Sequence, residues 1–381
     1  MSESELRLLR ESIRTALEDL SSPTAVREQM ASDQGWDPRT WRRLCRELGI
    51  AGLAVREDDG GSGFSLTELG VVFEEAGRTL LCAPLMATAG LTIPLLQVLG
   101  DEATNKRYLP GLCDGTTVGA VVTSDEFGRS VLEGALVRAD MTGGTPTLTG
   151  TAGFVIDGAS ADLILLPART EDGIAVFAVD TQAPGVTKVP LVSLDQTRRQ
   201  ATVTFAKASA TRLSEGDATA AFVRALDIAR TLLAAEQAGG ASRCLDMAVA
   251  YAKTRVQFGR PIGSFQALKQ KLADVLIQVE SAKSAAEAGV QAAALVLDPS
   301  AVVRIPGLPD LPTVAAVAQL YCSEAYVTVA ADTIQIHGGI GFTWEHDAHL
   351  YYKRAWGSRE MLGRPEEHIE RLSELLGSEV S

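Results

Sequence analysis

YAKTRVQFGRPIGSFQ (Tyr251–Gln266) places two arginines, two phenylalanines and two glycines between two stretches that read as long helices. Upstream, residues 218–257 are rich in alanine and contain no proline to stop a helix. Downstream, a second helix is expected from about Phe265 toward Leu297, with Ser264 able to cap its start. An arginine, an aromatic ring and a glycine at a helix end can hold a pyrophosphate by charge and flank a flat ring by stacking. The same arginine, Arg255, also suits a plain surface position, because the helix macrodipole favours a cation there. Within the upstream helix, Gly239-Gly240 costs helix propensity, so a close helix contact is expected at that pair.

Roughly eighty residues further on stands QIHGGIGFTWEHD (Gln335–Asp347). Three glycines in four positions after a helix let a backbone approach a ligand closely and offer N–H groups to it. Gly-x-Gly alone is a weak signal.

Reading outward, the chain before about Thr116 is mostly helical. Leu6, Leu9, Ile13, Leu17 and Leu20 make one apolar stripe, and Leu66, Leu69, Val72, Phe73 and Ala76 another. The acidic, glycine-rich run Glu57–Gly63 between them is a loop. From about Thr117 to Lys207 come short β-branched runs: Thr117–Thr123, Thr147–Ile156, Leu163–Pro167, Ile174–Val179 and Ala201–Phe205. They read as a compact antiparallel unit. Helix returns from about Glu215, and a proline-bearing loop (Pro299–Pro312) leads to a last long helix over Thr313–Ile336. The stripe Leu268, Leu272, Val275 and Val279 reads as bundle core.

Bulk properties bound the rest. The chain has 381 residues, so two or three packed units are expected. A formal charge of −13 argues against a nucleic-acid or anionic-membrane partner. Five scattered cysteines with no CxxC pair fit a reduced, cytoplasmic setting. The start lacks the basic and apolar regions of a signal peptide. The most apolar stretch, PLMATAGLTIPLLQVLG (Pro84–Gly100), falls short of the ~20 residues a bilayer requires and is broken by Pro94. His346 and His349 share a helical spacing, but no further His or Cys cluster joins them, so no metal site is expected.

Taken together and in this order, the two glycine-bearing segments resemble the signature regions of acyl-CoA dehydrogenases. Residues 48–55 (LGIAGLAV), 59–66 (DGGSGFSL) and 74–78 (EEAGR) resemble that family's N-terminal region. The resemblance implies an α+β fold with an N-terminal helical domain (1–116), a middle antiparallel, barrel-like β-domain (117–214) and a C-terminal four-helix bundle (215–381). It also implies FAD lying across a subunit interface, an acyl-CoA substrate, and an electron-transfer flavoprotein or similar acceptor. Carried over by residue, Arg255, Phe258, Gln266, Gln335, Gly338 and Gly339 would contact the adenosine and pyrophosphate end of FAD held mainly by a neighbouring subunit. His337 would pack beside it.

The family reaction is α,β-desaturation, in which a glutamate removes the α-proton of the thioester. In most members that glutamate lies about two dozen residues past the glycine segment, which falls here near Leu362 or Gly363. Glu360 is the nearest carboxylate, and on a helix its displacement turns the side chain by roughly 200–300°. Other members place the base just before an arginine of the long helix. That arginine resembles Arg230, and the residue before it is Ala229. Asp227 and Glu236 lie on the same helix without support from spacing. No catalytic base is therefore assigned.

The flavin-facing loop is altered as well. Where the family has a Thr-Glu-Pro-Gly-like loop, this chain has VTSDEFGR (Val122–Arg129), and only Thr123 clearly survives. A Trp-Ile-Thr-like stretch becomes Phe154-Val-Ile-Asp157, in which Ile156 has no hydroxyl. The expectation is a subunit of a heteromeric acyl-CoA dehydrogenase, like the degenerate subunits used on steroid side-chain CoA thioesters, with a related partner supplying the glutamate. The alternatives are a self-sufficient homomeric enzyme using Glu360, a non-catalytic binding protein, and a flavin monooxygenase on the same fold.

Overall fold

The computed structural model describes residues 3–133 and 137–378. The ends of the expected division (residues 1, 2 and 379–381) and residues 134–136 of its middle part lie outside these.

The N-terminal stretch forms α1 (Glu3–Leu20), α2 (Pro23–Ala31), α3 (Pro38–Leu48), α4 (Leu66–Thr79), α5 (Ile93–Leu99) and α6 (Glu102–Cys113). The α4 stripe is buried throughout, at Leu66, Leu69, Val72, Phe73 and Ala76, whereas on α1 only Ile13 and Leu17 are buried and Leu6, Leu9 and Leu20 are half-buried. The apolar stretch at Pro84–Gly100 is a buried π-helical segment, Met86–Thr92, running into α5. Thr92 donates its hydroxyl to Ala87 O at 2.7 Å, the wider spacing a π-turn allows.

The strands are β1 (Gly119–Val121), β2 (Arg138–Asp140), β3 (Thr147–Ile156), β4 (Leu163–Thr170), β5 (Gly173–Asp180), β6 (Val186–Pro190), β7 (Gln200–Ser209) and β8 (Thr211–Arg212). They form one sheet in the order β6-β7-β3-β2-β4-β5-β8, with β1 also on β4. Its long pairings are antiparallel, as expected, but β1 and β2 both run parallel to β4. Strand β4 begins LILLPA with every residue buried, the run of a strand covered on both faces. The strands β2, β6 and β8 are too short or too polar to stand out, which is why the sequence does not announce them.

The remaining elements are α7 (Thr219–Thr254), the hairpin β9 (Val256–Gln257) and β10 (Arg260–Pro261), α8 (Gln266–Leu297), α9 (Leu311–His337), α10 (Ala348–Arg359) and α11 (Pro365–Ser378). Ser264 does not cap α8. The chain enters through a 3-10 turn at Ile262–Ser264, so Phe265 takes the cap position and Ser264 Oγ is left buried without a partner.

By packing, the described chain divides into two compact units: residues 1–28, 67–81 and 230–381 in one, residues 29–66 and 82–229 in the other. In the first, α9 packs against α8, α10 and α11. Among the described residues, the helical run Leu311–Phe342 alone has the length and hydropathy to cross a membrane, and 61% of its apolar window is buried in this core. Helix α4 meets α7 backbone to backbone. A Cβ added to Gly239 would lie 1.8 Å from Glu74 O, and one on Gly77 would lie 1.9 Å from Glu236 O. A Cβ on Gly240 would meet the Tyr326 ring at 2.4 Å. The glycine pair thus marks a close helix crossing, as its cost in propensity implied.

Candidate functional site

At the end of α7, Arg255 N–H still closes the helix on Tyr251 O at 2.8 Å, and the chain then folds into the β9–β10 hairpin. Gln257 pairs with Arg260, leaving a two-residue turn, Phe258-Gly259. Both take left-handed φ, 53° and 76°, as a type I′ turn requires. A phenylalanine there is strained, by roughly 1–2 kcal/mol. The turn holds its ring 92% exposed. Arg255 and Gln266 are exposed beside it. Arg255 makes no ion pair among the described residues.

The second segment begins where α9 stops. Gly338 has φ 65° and ψ −145°, a conformation for glycine, and its N–H closes the helix on Gln335 O and Ile334 O. A 3-10 turn follows over Gly338–Phe342. A Cβ added to Gly338 or Gly339 would meet nothing within 4 Å, and both face solvent together with Gln335. Open backbone, a projecting aromatic ring and an unpaired guanidinium suit one end of a dinucleotide approaching from outside the unit. All six carried-over residues of the first unit are therefore surface residues.

The two segments meet through ring contacts, one stacked and one tilted. His337, the last residue of α9, lies between Tyr251 (centroids 4.4 Å) and His346 (4.2 Å). Burial pushes the pKa of both histidines below its ordinary value, and for His346 the neighbouring His337 adds to the effect. His349 instead packs edge-on to Trp344 at 4.7 Å. Sequence reasoning missed Arg27, which ties α2 to this region. It pairs with Asp347 and donates to Trp344 O at 3.1 Å. Nothing in the local pattern of α2 marks that long-range contact.

Neither base position carries a carboxylate. Ala229 is buried, and Leu362 and Gly363 take φ 58° and 111° in the turn after α10. Arg230 Nε donates to Leu362 O at 2.8 Å. Glu360 terminates α10 with a half-exposed side chain held by Arg359 at 2.9 Å, within a cluster that includes Glu324 and Glu366. Glu236 is buried against Arg354 at 3.6 Å. A cleft of about 150 Å³ in the same unit, lined by Arg14, Glu75, Arg78, Arg243 and Tyr351 among others, holds none of these residues.

In the second unit, Thr123 follows β1 and is half-buried, its carbonyl accepting from Val131 N–H at 3.2 Å. The loop after it closes on itself. The buried Asp125 carboxylate accepts from Phe127 N–H (2.9 Å) and Arg129 N–H (3.0 Å) and pairs with the Arg129 side chain. These bonds, with desolvation opposing them, hold Asp125 below the usual carboxylate range. Ser124 Oγ donates to Gly153 O at 2.8 Å. A register shift between Ala152 and Val155 turns Phe154 to φ 54° and leaves it 44% exposed, while Ile156 is buried. Two amides of the loop are thus taken up by Asp125.

Comparison with known proteins agrees with this geometry. Residues 3–116 match the acyl-CoA dehydrogenase N-terminal domain and residues 217–376 the acyl-CoA dehydrogenase C-terminal domain. The acyl-CoA dehydrogenase IpdE2 of Mycolicibacterium smegmatis is 39% identical over 97% of each chain. Among solved structures, the Tcur3481–Tcur3483 steroid ACAD matches with a TM-score of 0.86 and 29% identity over 99% of both chains. The ChsE4–ChsE5 complex of Mycobacterium tuberculosis matches with the same TM-score and identity, over 99% of this chain and 98% of that one. The protein belongs to the acyl-CoA dehydrogenase family, FAD-dependent oxidoreductases acting on CH–CH bonds.

Proposed function

We propose that this chain is the base-lacking subunit of a heteromeric acyl-CoA dehydrogenase that desaturates an acyl-CoA thioester in the cytoplasm. A homologous partner would supply the glutamate and the flavin-ring pocket, and an electron-transfer flavoprotein or similar carrier would take the electrons. The observation that carries the reading is the absence of a carboxylate at either base position, with Arg230 bound to the backbone of Leu362. Proton abstraction from carbon needs a base within hydrogen-bond reach of the proton. Glu360 is held among arginine and glutamate side chains instead.

FAD, when bound, supplies the hydride acceptor. On this reading the chain's own part is binding. Arg255 would neutralise pyrophosphate charge, Phe258 would stack on a ring, and Gln266, Gln335, Gly338 and Gly339 would line the approach. Thr123 remains from the chain's own flavin loop, whose amides are turned toward Asp125. The steroid-acting ACAD among the structural neighbours supports a steroid-derived acyl group.

The test is to express the chain alone and with homologous candidates and count FAD per polypeptide. A colourless chain alone, and fewer flavins than subunits in an active assembly, are expected. One FAD in every subunit, or turnover by the isolated chain that ends when one of its own acids is changed, would overturn the reading.

A further inference from the structure

The contact between the two surface segments runs through histidine rings with defined proton positions. His337 Nδ1 lies 2.7 Å from Thr333 O, and a carbonyl can only accept, so the neutral ring carries its proton on Nδ1. His346 Nδ1 accepts from Ala348 N–H at 3.1 Å, so its proton sits on Nε2. A second proton on His346 must enter at Nδ1 and displace the Ala348 bond. A second proton on His337 would place a cation in a stack 4.2 Å from His346. The Ala348 bond therefore holds only while His346 is neutral, and the two rings resist being charged together.

Few charges face it. From α7 it meets the Tyr251 ring, and from α9 the Thr333 carbonyl. At the start of α10, Asp347 is paired with Arg27 of α2, and Lys353 covers Trp344 beside His349. Arg27 also donates to Trp344 O and His346 O, fixing the far end of the glycine segment. At the near end, a Cβ added to Gly341 would lie 3.0 Å from His337 Cβ. The ring of His337 thus touches both Tyr251 near the end of α7 and His346 beyond the glycine turn.

We propose that the Tyr251–His337–His346 stack is a positioning device, which registers the Arg255–Phe258 hairpin against the Gly338–Gly341 turn for a cofactor completed across the interface, and which releases on protonation. His337 and His346 touch no reacting atom in this role; they are positioning residues. The inference rests on the heteromeric reading for its cofactor, but not for the stack itself.

Two measurements separate them. In the isolated chain, hydrogen exchange of residues 335–347 is followed from pH 8 to pH 5. Protection is expected to fall more than about tenfold below pH 6.5, and His346→Asn, which keeps an acceptor for Ala348 N–H but does not titrate, is expected to flatten that profile. In the assembled enzyme, FAD retention is read by flavin fluorescence. His337→Asn keeps the donor to Thr333 O without the ring, and is expected to weaken FAD about tenfold at pH 8 while the complex stays intact. Exchange and FAD retention unchanged by both substitutions would overturn the proposal. An assembly that never loads FAD overturns the heteromeric reading, and the exchange profile still decides the stack.

Discussion

Arg230 Nε stands 2.8 Å from the carbonyl oxygen of Leu362, so the arginine that follows one base position holds the backbone at the other. The two places where the family keeps its glutamate are therefore linked in space although they lie far apart in sequence. Here that link is structural. Arg230→Ala should cost the isolated chain about 1.5–3 kcal/mol, as expected for a hydrogen bond from a charged donor. Urea unfolding, with an unchanged slope, is the check. A loss below about 0.5 kcal/mol would mean that solvent replaces the donor without penalty.

Glu360 offers the sharpest contrast with a working base. It is half-exposed and bound to Arg359, which also reaches Glu324 and Glu366. Glu360→Gln in the assembled enzyme should leave kcat within roughly twofold, since no interaction with the transition state is removed. A fall of several orders of magnitude would make this side chain the base and restore the homomeric alternative.

Gly239 and Gly77 carry the α4–α7 crossing, where an added Cβ would come within 1.8 and 1.9 Å of a facing carbonyl oxygen. Backbone cannot swing aside as a side chain can, so the helices must part. Gly239→Ala should destabilise the fold by at least about 1–3 kcal/mol, despite alanine's better helix propensity. Thermal unfolding of the single substitution measures it. A stabilised protein would show that the crossing is not tight.

Much of this was legible in the sequence because local and global signals agree. The stripe through Leu66, Val72 and Phe73 names a buried helix face whatever packs on it. Gly239-Gly240 names a crossing because nothing local justifies two glycines in a helix. Where the resemblance puts a base, the sequence itself has Ala229 and Leu362-Gly363, with no carboxylate at either place. What stayed hidden depends on distant partners. Arg27 reads as an ordinary exposed cation of α2 until Asp347 and the Trp344 carbonyl are seen beside it. Likewise, Asp125 reads as a loop acid, and only the folded turn shows it taking up the amides of Phe127 and Arg129. The strand β2 (RAD) is too short and polar to declare itself.

His368 gives the fold a second response to acid, remote in sequence from the stack. Burial, with Arg230 and Arg371 nearby, pushes its pKa down to about 4. The folded protein holds the ring neutral, while the unfolded chain takes a proton near pH 6.5. Its contribution is complete above about pH 6.5 and is lost progressively as pH falls toward 4, by an amount on the order of 3 kcal/mol. His368→Asn should flatten that part of the stability curve. An unchanged acid limb would assign the loss to other groups.

Phe258 separates the needs of the fold from those of the assembly. Its ring is 92% exposed and its φ is 53°, so within its own unit it contributes strain and little burial. On the proposed function, a ring in that state would serve a contact outside the unit. Phe258→Gly relieves the left-handed backbone, although the freer unfolded chain offsets part of the gain, so stability should stay level or rise by up to about 1 kcal/mol. FAD content of the co-expressed assembly should nevertheless fall, because the stacking surface is gone. Phe258→Trp keeps the ring and should retain FAD with the strain still present. If Phe258→Gly assembles with a full flavin complement, this ring has no part in the cofactor site, and the hairpin's exposed face must be explained by protein contact alone.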